Sequence, residues 1–218
     1  MATVGKTKGI AVILRERVSA IIRTNDQRLA AEAMQAAVDG GFRLLEFTLT
    51  TPGAFELIAQ FAKKPHVTVG AGTVLRSDQA REAVAAGATF IVSPIIDPIL
   101  MEEAAALDVV CIPGAFTPTE MEMAHRRGAD FIKVFPAPFG GLQFIEAVRA
   151  PLPHLPLFPT AGVDENNVID YLNAGCAGAG FVKTLFTPRD MSERDFAAIR
   201  SRAAVITRRV SEWQRSHS

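Results

Sequence analysis

The sequence predicts an α/β fold, a (β/α)8 TIM barrel with an extra N-terminal helix and a C-terminal helix covering its ends. Three observations predict it. Eight short β-branched or aromatic runs recur along the chain, near-continuous in apolar character, as parallel strands buried on both faces require. Longer, alanine-rich segments of helical period separate them. At the junctions, a small residue plus glycine closes one helix after another, and a strand follows within a few residues. Eight such units in 218 residues leave room only for short loops, so residues 1–218 read as one domain.

The elements follow in order. A first helix is expected around residues 8–15 and a first strand over 18–22. Asp26 supplies N-cap chemistry for a helix over 27–38, which Asp39-Gly40-Gly41 ends. The second and third strands are 44–48 and 67–70. Ser77-Asp78 opens a helix over 77–86, closed at Gly87. The fourth strand, 90–92, precedes a helix over 98–107 and a fifth strand over 109–112. Thr117 as N-cap, Pro118 at N1 and Glu120 at N3 make a capping box for a helix that Arg127-Gly128-Ala129 closes. The sixth and seventh strands are 131–135 and 157–160. Asp164-Glu165 starts a helix over 165–174, closed at Gly175, and the eighth strand is 180–182. A last helix is expected around 193–215. An open doubly wound sheet is the rival fold. It is weakened because Arg23-Thr24-Asn25-Asp26, not a Gly-x-Gly-x-x-Gly fingerprint, follows the first strand.

Composition excludes several functions. Hydrophobic residues at 49% and charged residues at 21% describe a globular chain, not a disordered one. Lys and Arg number 23 against 23 Asp and Glu, so the basic excess of a nucleic-acid binder is missing. The apolar runs are too short for a membrane span or a convincing signal peptide. A soluble, cytoplasmic protein with no nucleic-acid or membrane partner is the expectation, and zero net charge makes self-association easy. Cys111 and Cys176 read as small core residues. No metal is expected: His66 and His154 precede strands, His125 lies within a helix and His217 in the tail. None reaches a C-terminal strand end, where barrels place their chemistry.

That placement rule selects Arg23, Glu46, Thr48, Thr50, Thr73, Pro94, Gly114, Lys133, Pro136, Thr160, Gly162 and Lys183. Lys133 stands inside Phe131-Ile132-Lys133-Val134-Phe135, a strand whose character turns it toward the barrel interior. Burial disfavours an ammonium and supplies the neutral amine that a nucleophile needs; the plainer reading is a lysine snorkelling from a strand end. Glu46 stands inside Leu44-Leu45-Glu46-Phe47-Thr48. A carboxylate there is either paired with a cation or kept as a proton carrier. A buried lysine beside a buried glutamate satisfies both the structural and the imine-forming reading. Phe158-Pro159-Thr160-Ala161-Gly162-Val163-Asp164 follows the seventh strand and opens a helix, where small residues let backbone N–H groups approach an anion. Lys183 adds charge at the end of the eighth strand. Gly70-Ala71-Gly72-Thr73 brings backbone and a hydroxyl near a ligand after the third strand, although Gly-rich turns are common.

Six segments in order and spacing carry a resemblance. They are Leu45-Glu46-Phe47-Thr48-Leu49-Thr50-Thr51-Pro52, Gly70-Ala71-Gly72-Thr73-Val74-Leu75, Phe90-Ile91-Val92-Ser93-Pro94, residues 112–120, Phe131-Ile132-Lys133-Val134-Phe135-Pro136-Ala137 and Pro159-Thr160-Ala161-Gly162-Val163. Over roughly residues 18–187 the chain resembles the class I aldolases acting on 2-keto-3-deoxy-6-phosphogluconate (KDPG) and 4-hydroxy-2-oxoglutarate (KHG). The resemblance implies a Schiff-base lyase of carbohydrate metabolism. It would cleave a 2-keto-3-deoxy-6-phosphosugar acid to pyruvate and an aldehyde such as glyceraldehyde 3-phosphate. The alternatives are a 4-hydroxy-2-oxoglutarate aldolase releasing glyoxylate and, from another class, a phosphate-binding barrel isomerase or epimerase. It implies Lys133 as the Schiff-base lysine and Glu46 as the proton-shuttling carboxylate. Thr73 would contact the pyruvate carboxylate, with Pro94 and Thr160 lining the pocket and Ala161 and Gly162 in the phosphate turn. It further implies a homotrimer, a 2-keto acid as the small-molecule partner, and no metal or other cofactor. Three departures stand out. Thr160-Ala161-Gly162 replaces a usual Thr-Gly-Gly. Thr50 stands where many members carry an arginine, a function Arg23 would take over. Lys183 stands where a Gly-Gly-Ser stretch is common.

Overall fold

The computed structural model describes residues 5–136 and 140–217; Ala137, which ends the fifth matching segment, and residues 1–4 of the N-terminal stretch lie outside them. The order is α1 (Lys6–Glu16), β1 (Val18–Ile22), α2 (Gln27–Asp39), β2 (Leu44–Thr48), α3 (Ala54–Phe61), β3 (Thr68–Gly72), α4 (Ser77–Ala85), β4 (Phe90–Val92), α5 (Pro98–Ala106) and β5 (Val110–Ile112). There follow β6 (Gly114–Ala115), α6 (Pro118–Arg126), β7 (Ile132–Val134), α7 (Leu142–Arg149), β8 (Leu157–Pro159), α8 (Val168–Asn173), β9 (Ala179–Phe181), α9 (Pro188–Glu193) and α10 (Phe196–Ser216). The expected extra helices at the two ends are α1 and α10.

The strand pairs are parallel, in an α/β alternation, and the sheets curl as a barrel requires, but among the described residues they are not one continuous eight-stranded sheet. The described residues form a six-stranded sheet, β5-β4-β3-β2-β1-β9, and a three-stranded sheet, β6-β7-β8. The expected fifth strand ends at Ile112, and a short strand that was not expected, β6, follows Pro113. Proline has no N–H to give to a ladder, so pairing stops at Ile112 and resumes at Gly114. At the other junction only an isolated parallel bridge, Thr160 to Gly180, lies between the ends of β8 and β9.

The curled sheets share an interior. Leu44, Phe90, Val92, Val110 and Ile112 of the larger sheet pack with Phe158 of β8 and with Phe131, which precedes β7. Phe131 and Phe158 meet edge-on at 6.3 Å. Ile13 of α1 belongs to the same cluster, which places α1 beneath the N-terminal strand ends. The alternate strand residues, among them Leu45, Phe47, Val69, Ile91 and Val134, face outward into the layer shared with the helices. Near-continuous apolar strands are explained by these two apolar layers.

Local chemistry accounts for most element ends. Gly41, Gly87, Gly128 and Gly175, at the predicted junctions, have φ from 85° to 110°. Asp26 accepts from the Leu29 N–H, and Thr117 with Glu120 forms the capping box. Two starts are corrected. The N-cap of α4 is Arg76 rather than Ser77, and no side-chain bond caps the helix because a guanidinium has no acceptor. The helix expected from Glu165 begins at Val168, because the Asp164 carboxylate accepts from the Asn166 and Asn167 N–H groups and holds those residues in a turn.

Candidate active site

Strand alternation turns Lys133 and Glu46 toward each other. Ile132 and Val134 belong to the outer layer, so Lys133 between them points inward. Leu45 and Phe47 do the same for Glu46 on β2. Lys133 is 6% exposed and Glu46 2% exposed, and both line one narrow interior cavity with Ser19, Thr160 and apolar walls that include Leu44, Phe90 and Ile112. The Lys133 ammonium nitrogen lies 5.3 Å from the centre of the Phe135 ring. No ion pair joins Lys133 to Glu46, and Glu46 Oε1 has no hydrogen-bond partner. Burial raises the Glu46 carboxyl above its usual range; the positive charges of Lys133 and then Arg23 oppose that rise. A methyl group at Gly72 would overlap Glu46 Oε1, so the carboxylate rests in the space that this glycine leaves. Gly72→Ala is therefore expected to displace Glu46 and lower kcat about tenfold or more, checked by steady-state kinetics with far-UV circular dichroism as a folding control.

The loops after β1, β2 and β3 converge above this pair. Arg23 Nη2 donates to Thr73 Oγ1 at 3.2 Å, which brings the two mouth residues together. Thr73 has φ of 58°, an outlying conformation for a β-branched residue, consistent with strain held at a functional site. Thr48 Oγ1 donates to Ile22 O at 3.1 Å. It also lies 3.0 Å from Thr50 Oγ1 and 3.2 Å from Thr51 Oγ1. Thr51 in turn accepts from the Thr24 N–H. Thr50 is thus part of a hydroxyl net that braces the loop bearing Arg23. Pro94 is partly buried beside Gly114, whose Cα faces the Pro94 carbonyl.

Two further loops approach from the other side. Thr160 is buried at 4% exposure with its hydroxyl unpartnered, whereas Ala161 and Gly162 are exposed. Both Ala161 and Gly162 have φ of 77°. Alanine in that region costs about 1 kcal/mol relative to glycine. Asn167 Nδ2 donates to Gly162 O at 2.9 Å, and Thr184 Oγ1 donates to Val163 O at 2.6 Å. Thr184 therefore ties the loop after β9, which carries the exposed Lys183, to the turn after β8. The expected helix N-terminus at Ala161-Gly162 is displaced along the chain, since the Asp164 turn stands between them and α8. Ala161→Gly should relieve the backbone strain and raise Tm by about 2–4 °C, measured by calorimetry.

Sequence reasoning passed over Ser19, Asn167 and Thr184. The signal for Ser19 was a hydroxyl inside an otherwise apolar run; Asn167 and Thr184 act through backbone carbonyls that only the folded loops bring near. The remaining titratable groups lie elsewhere. His154 pairs with Glu122 at 2.9 Å and its ring contacts that of His125. Cys111 and Cys176 are buried, and burial pushes each thiol up to about 12. Among the described residues, no group of three or more His, Cys, Asp or Glu is arranged to hold a metal ion, and no helix is long and apolar enough to cross a membrane.

Comparison with known proteins identifies the family of the chain. The sequence model of the KDPG and KHG aldolases matches residues 10–201. The chain is 34% identical over 193 residues to a probable 2-dehydro-3-deoxy-6-phosphogalactonate aldolase of Rhizobium meliloti, covering 85% of this chain and 91% of the relative. It is 32% identical over 217 residues to the 2-dehydro-3-deoxy-phosphogluconate aldolase of Pseudomonas aeruginosa, covering 96% and 97%. Among solved structures it superposes on the KDPG aldolase of Legionella pneumophila with a TM-score of 0.81 at 26% identity, covering 91% and 97%. In that structure pyruvate is captured at low pH as a covalent carbinolamine. With the family match spanning nearly every element described above, the chain belongs to the KDPG and KHG aldolase family and is an aldolase, a carbon–carbon lyase.

Proposed function

We propose that this protein is a Schiff-base aldolase that cleaves a 2-keto-3-deoxy-6-phosphosugar acid reversibly to pyruvate and an aldehyde such as glyceraldehyde 3-phosphate. The observation that carries the reading is the pair of buried groups, Lys133 and an incompletely partnered Glu46, in one apolar cavity. The Lys133 amine attacks the C2 ketone, forming a C–N bond as the C=O π bond breaks, and a proton passes from the new ammonium nitrogen to the former ketone oxygen. Protonated Glu46 gives its proton to the departing carbinolamine hydroxyl, which leaves as water, and an iminium remains. Glu46, now a carboxylate, accepts the C4 hydroxyl proton. The C3–C4 bond breaks, its electron pair forms the enamine, and the aldehyde departs. Glu46 returns the proton to C3; water then adds to the iminium, the C–N bond breaks to give pyruvate and free Lys133, and the proton released goes back to Glu46. The raised carboxyl of Glu46 suits this double role, because it holds a proton at a pH where an exposed glutamate does not.

In this reading Arg23 and Thr73 hold the keto-acid carboxylate, Thr50 braces them, and Pro94 and Thr160 line the pocket. Ala161, Gly162 and Lys183 meet the distal anion. The chemistry runs on side chains alone, without metal or other cofactor. We further propose that the chain is one domain, that its two sheets are arcs of one (β/α)8 barrel, and that it works as a cytoplasmic homotrimer. Borohydride reduction in the presence of pyruvate tests the central claim. A mass increase mapping to the Lys133 peptide is expected, and failure to trap overturns the assignment of Lys133 as the Schiff-base lysine. Cleavage of phosphorylated and unphosphorylated substrates then separates a sugar-acid aldolase from a 4-hydroxy-2-oxoglutarate aldolase. Lys183→Ala should raise KM for the phosphorylated substrate about tenfold while leaving pyruvate trapping unchanged.

A further inference from the structure

Among the described residues, five buried side-chain atoms have no hydrogen-bond partner, and three of the five residues involved, Ser19, Glu46 and Thr160, line the cavity that holds Lys133. Such atoms in an apolar wall are costly unless something satisfies them. Ser19 is 4% exposed and belongs to β1, below the mouth of the barrel. Its strand neighbours fix where it sits. Ser19 is in register with Gly180 of β9, and Gly180 is bridged to Thr160, so the two hydroxyls flank one glycine. Two strand spacings put their Cα atoms about 10 Å apart, a span that two side chains and one water bridge. Gly180 keeps that span open, since a methyl there would meet Ile21 and Thr160. On the other side Ser19 is in register with Leu44, two residues before Glu46 on β2. That diagonal is about 8 Å, within reach of a glutamate and the same water.

We propose that Ser19 is a positioning residue for the reaction: with Thr160 it holds an internal water against Glu46, beneath Lys133, and so sets the proton affinity of that carboxyl. The proposal rests on the assignment of Glu46 as the proton carrier. Charged groups facing Glu46 are Lys133 from β7 and Arg23 after β1; β3 brings only Gly70 and Gly72. Ser19 adds the hydroxyl that these elements lack. A donor reaching a buried carboxylate through water favours the charged form, so its loss raises the carboxyl further.

The test is Ser19→Ala, with Ser19→Thr as the conservative variant, read in two ways. The kcat–pH profile is expected to shift upward by about half a unit or more, with kcat lowered about three- to tenfold and KM nearly unchanged. Without substrate, the pH dependence of Tm that Glu46→Gln removes should shift upward by the same amount. Ser19→Thr restores both. If both readouts of Ser19→Ala match wild type, Ser19 has no such role. If only the substrate-free Tm profile shifts, the water site stands and the catalytic assignment of Glu46 falls. Should Ser19→Ala fail to fold, Ser19→Cys, with a weak donor and similar volume, carries the same two measurements.

Discussion

Replacing Lys133 with alanine is expected to abolish turnover, by about a thousandfold or more, together with borohydride trapping of pyruvate. The reasoning is chemical before it is geometric. An imine forms from a lysine amine, and Lys133 stands in a cavity lined by Leu44, Phe90, Ile112 and Phe158 with Ser19, Glu46 and Thr160. No other lysine lines that cavity, so no neighbour substitutes. Lys133→Met, close in volume, separates chemistry from packing. It should fold with a Tm at or above that of wild type, because an apolar side chain in this setting carries no desolvation cost, and yet be as inactive as Lys133→Ala. A trapped adduct surviving on either variant places the nucleophile elsewhere.

Glu46→Gln is expected to lower kcat by about 10²–10⁴ while leaving pyruvate binding in place. It should also stabilise the fold at neutral and alkaline pH. Burial raises the folded-state carboxyl above its unfolded value, so the native state holds this proton more tightly than the unfolded chain. The protonated side chain contributes its full stability below the unfolded value. That contribution is lost as pH rises through the window up to the folded value. Glutamine never ionises and does not lose it. Thermal scans of the two proteins should agree at pH 4 and diverge above it, the variant melting about 2–4 °C higher at pH 8 for each kcal/mol of difference. A variant that melts lower across the whole range would instead make Glu46 a structural partner of Lys133. Gain in stability with loss of turnover is the pattern of a group kept for its chemistry.

Legibility along the chain varied with how local the cause was. Asp26, Thr117 with Glu120 and the four junction glycines act within a few residues, and each does what the sequence predicts. Inward placement of Lys133 and Glu46 was readable because strand alternation is a local rule. The delayed start of α8 was missed, although its cause is near in sequence, because the Asp164 carboxylate had two backbone amides to choose between a helix cap and a turn. The split between β5 and β6 follows from Pro113, a residue in plain view whose missing N–H matters only once a neighbouring strand needs it. Ser19 was invisible as a site residue, since a serine in an apolar strand says nothing about which other polar groups share its cavity.

The sequence by itself determined the α/β alternation, the parallel strands, most helix ends and the inward burial of Lys133 and Glu46. These depend on periodicity, capping and the cost of burying charge, all of which act along the chain. Only the tertiary structure decided which distant groups come together: Arg23 bonds Thr73, Thr184 bonds Val163, and Ser19 and Thr160 flank Gly180 in one cavity. Those meetings depend on strand register and on how the two sheets curl about one core. Register is set by the packing of all strands together, which no single segment encodes.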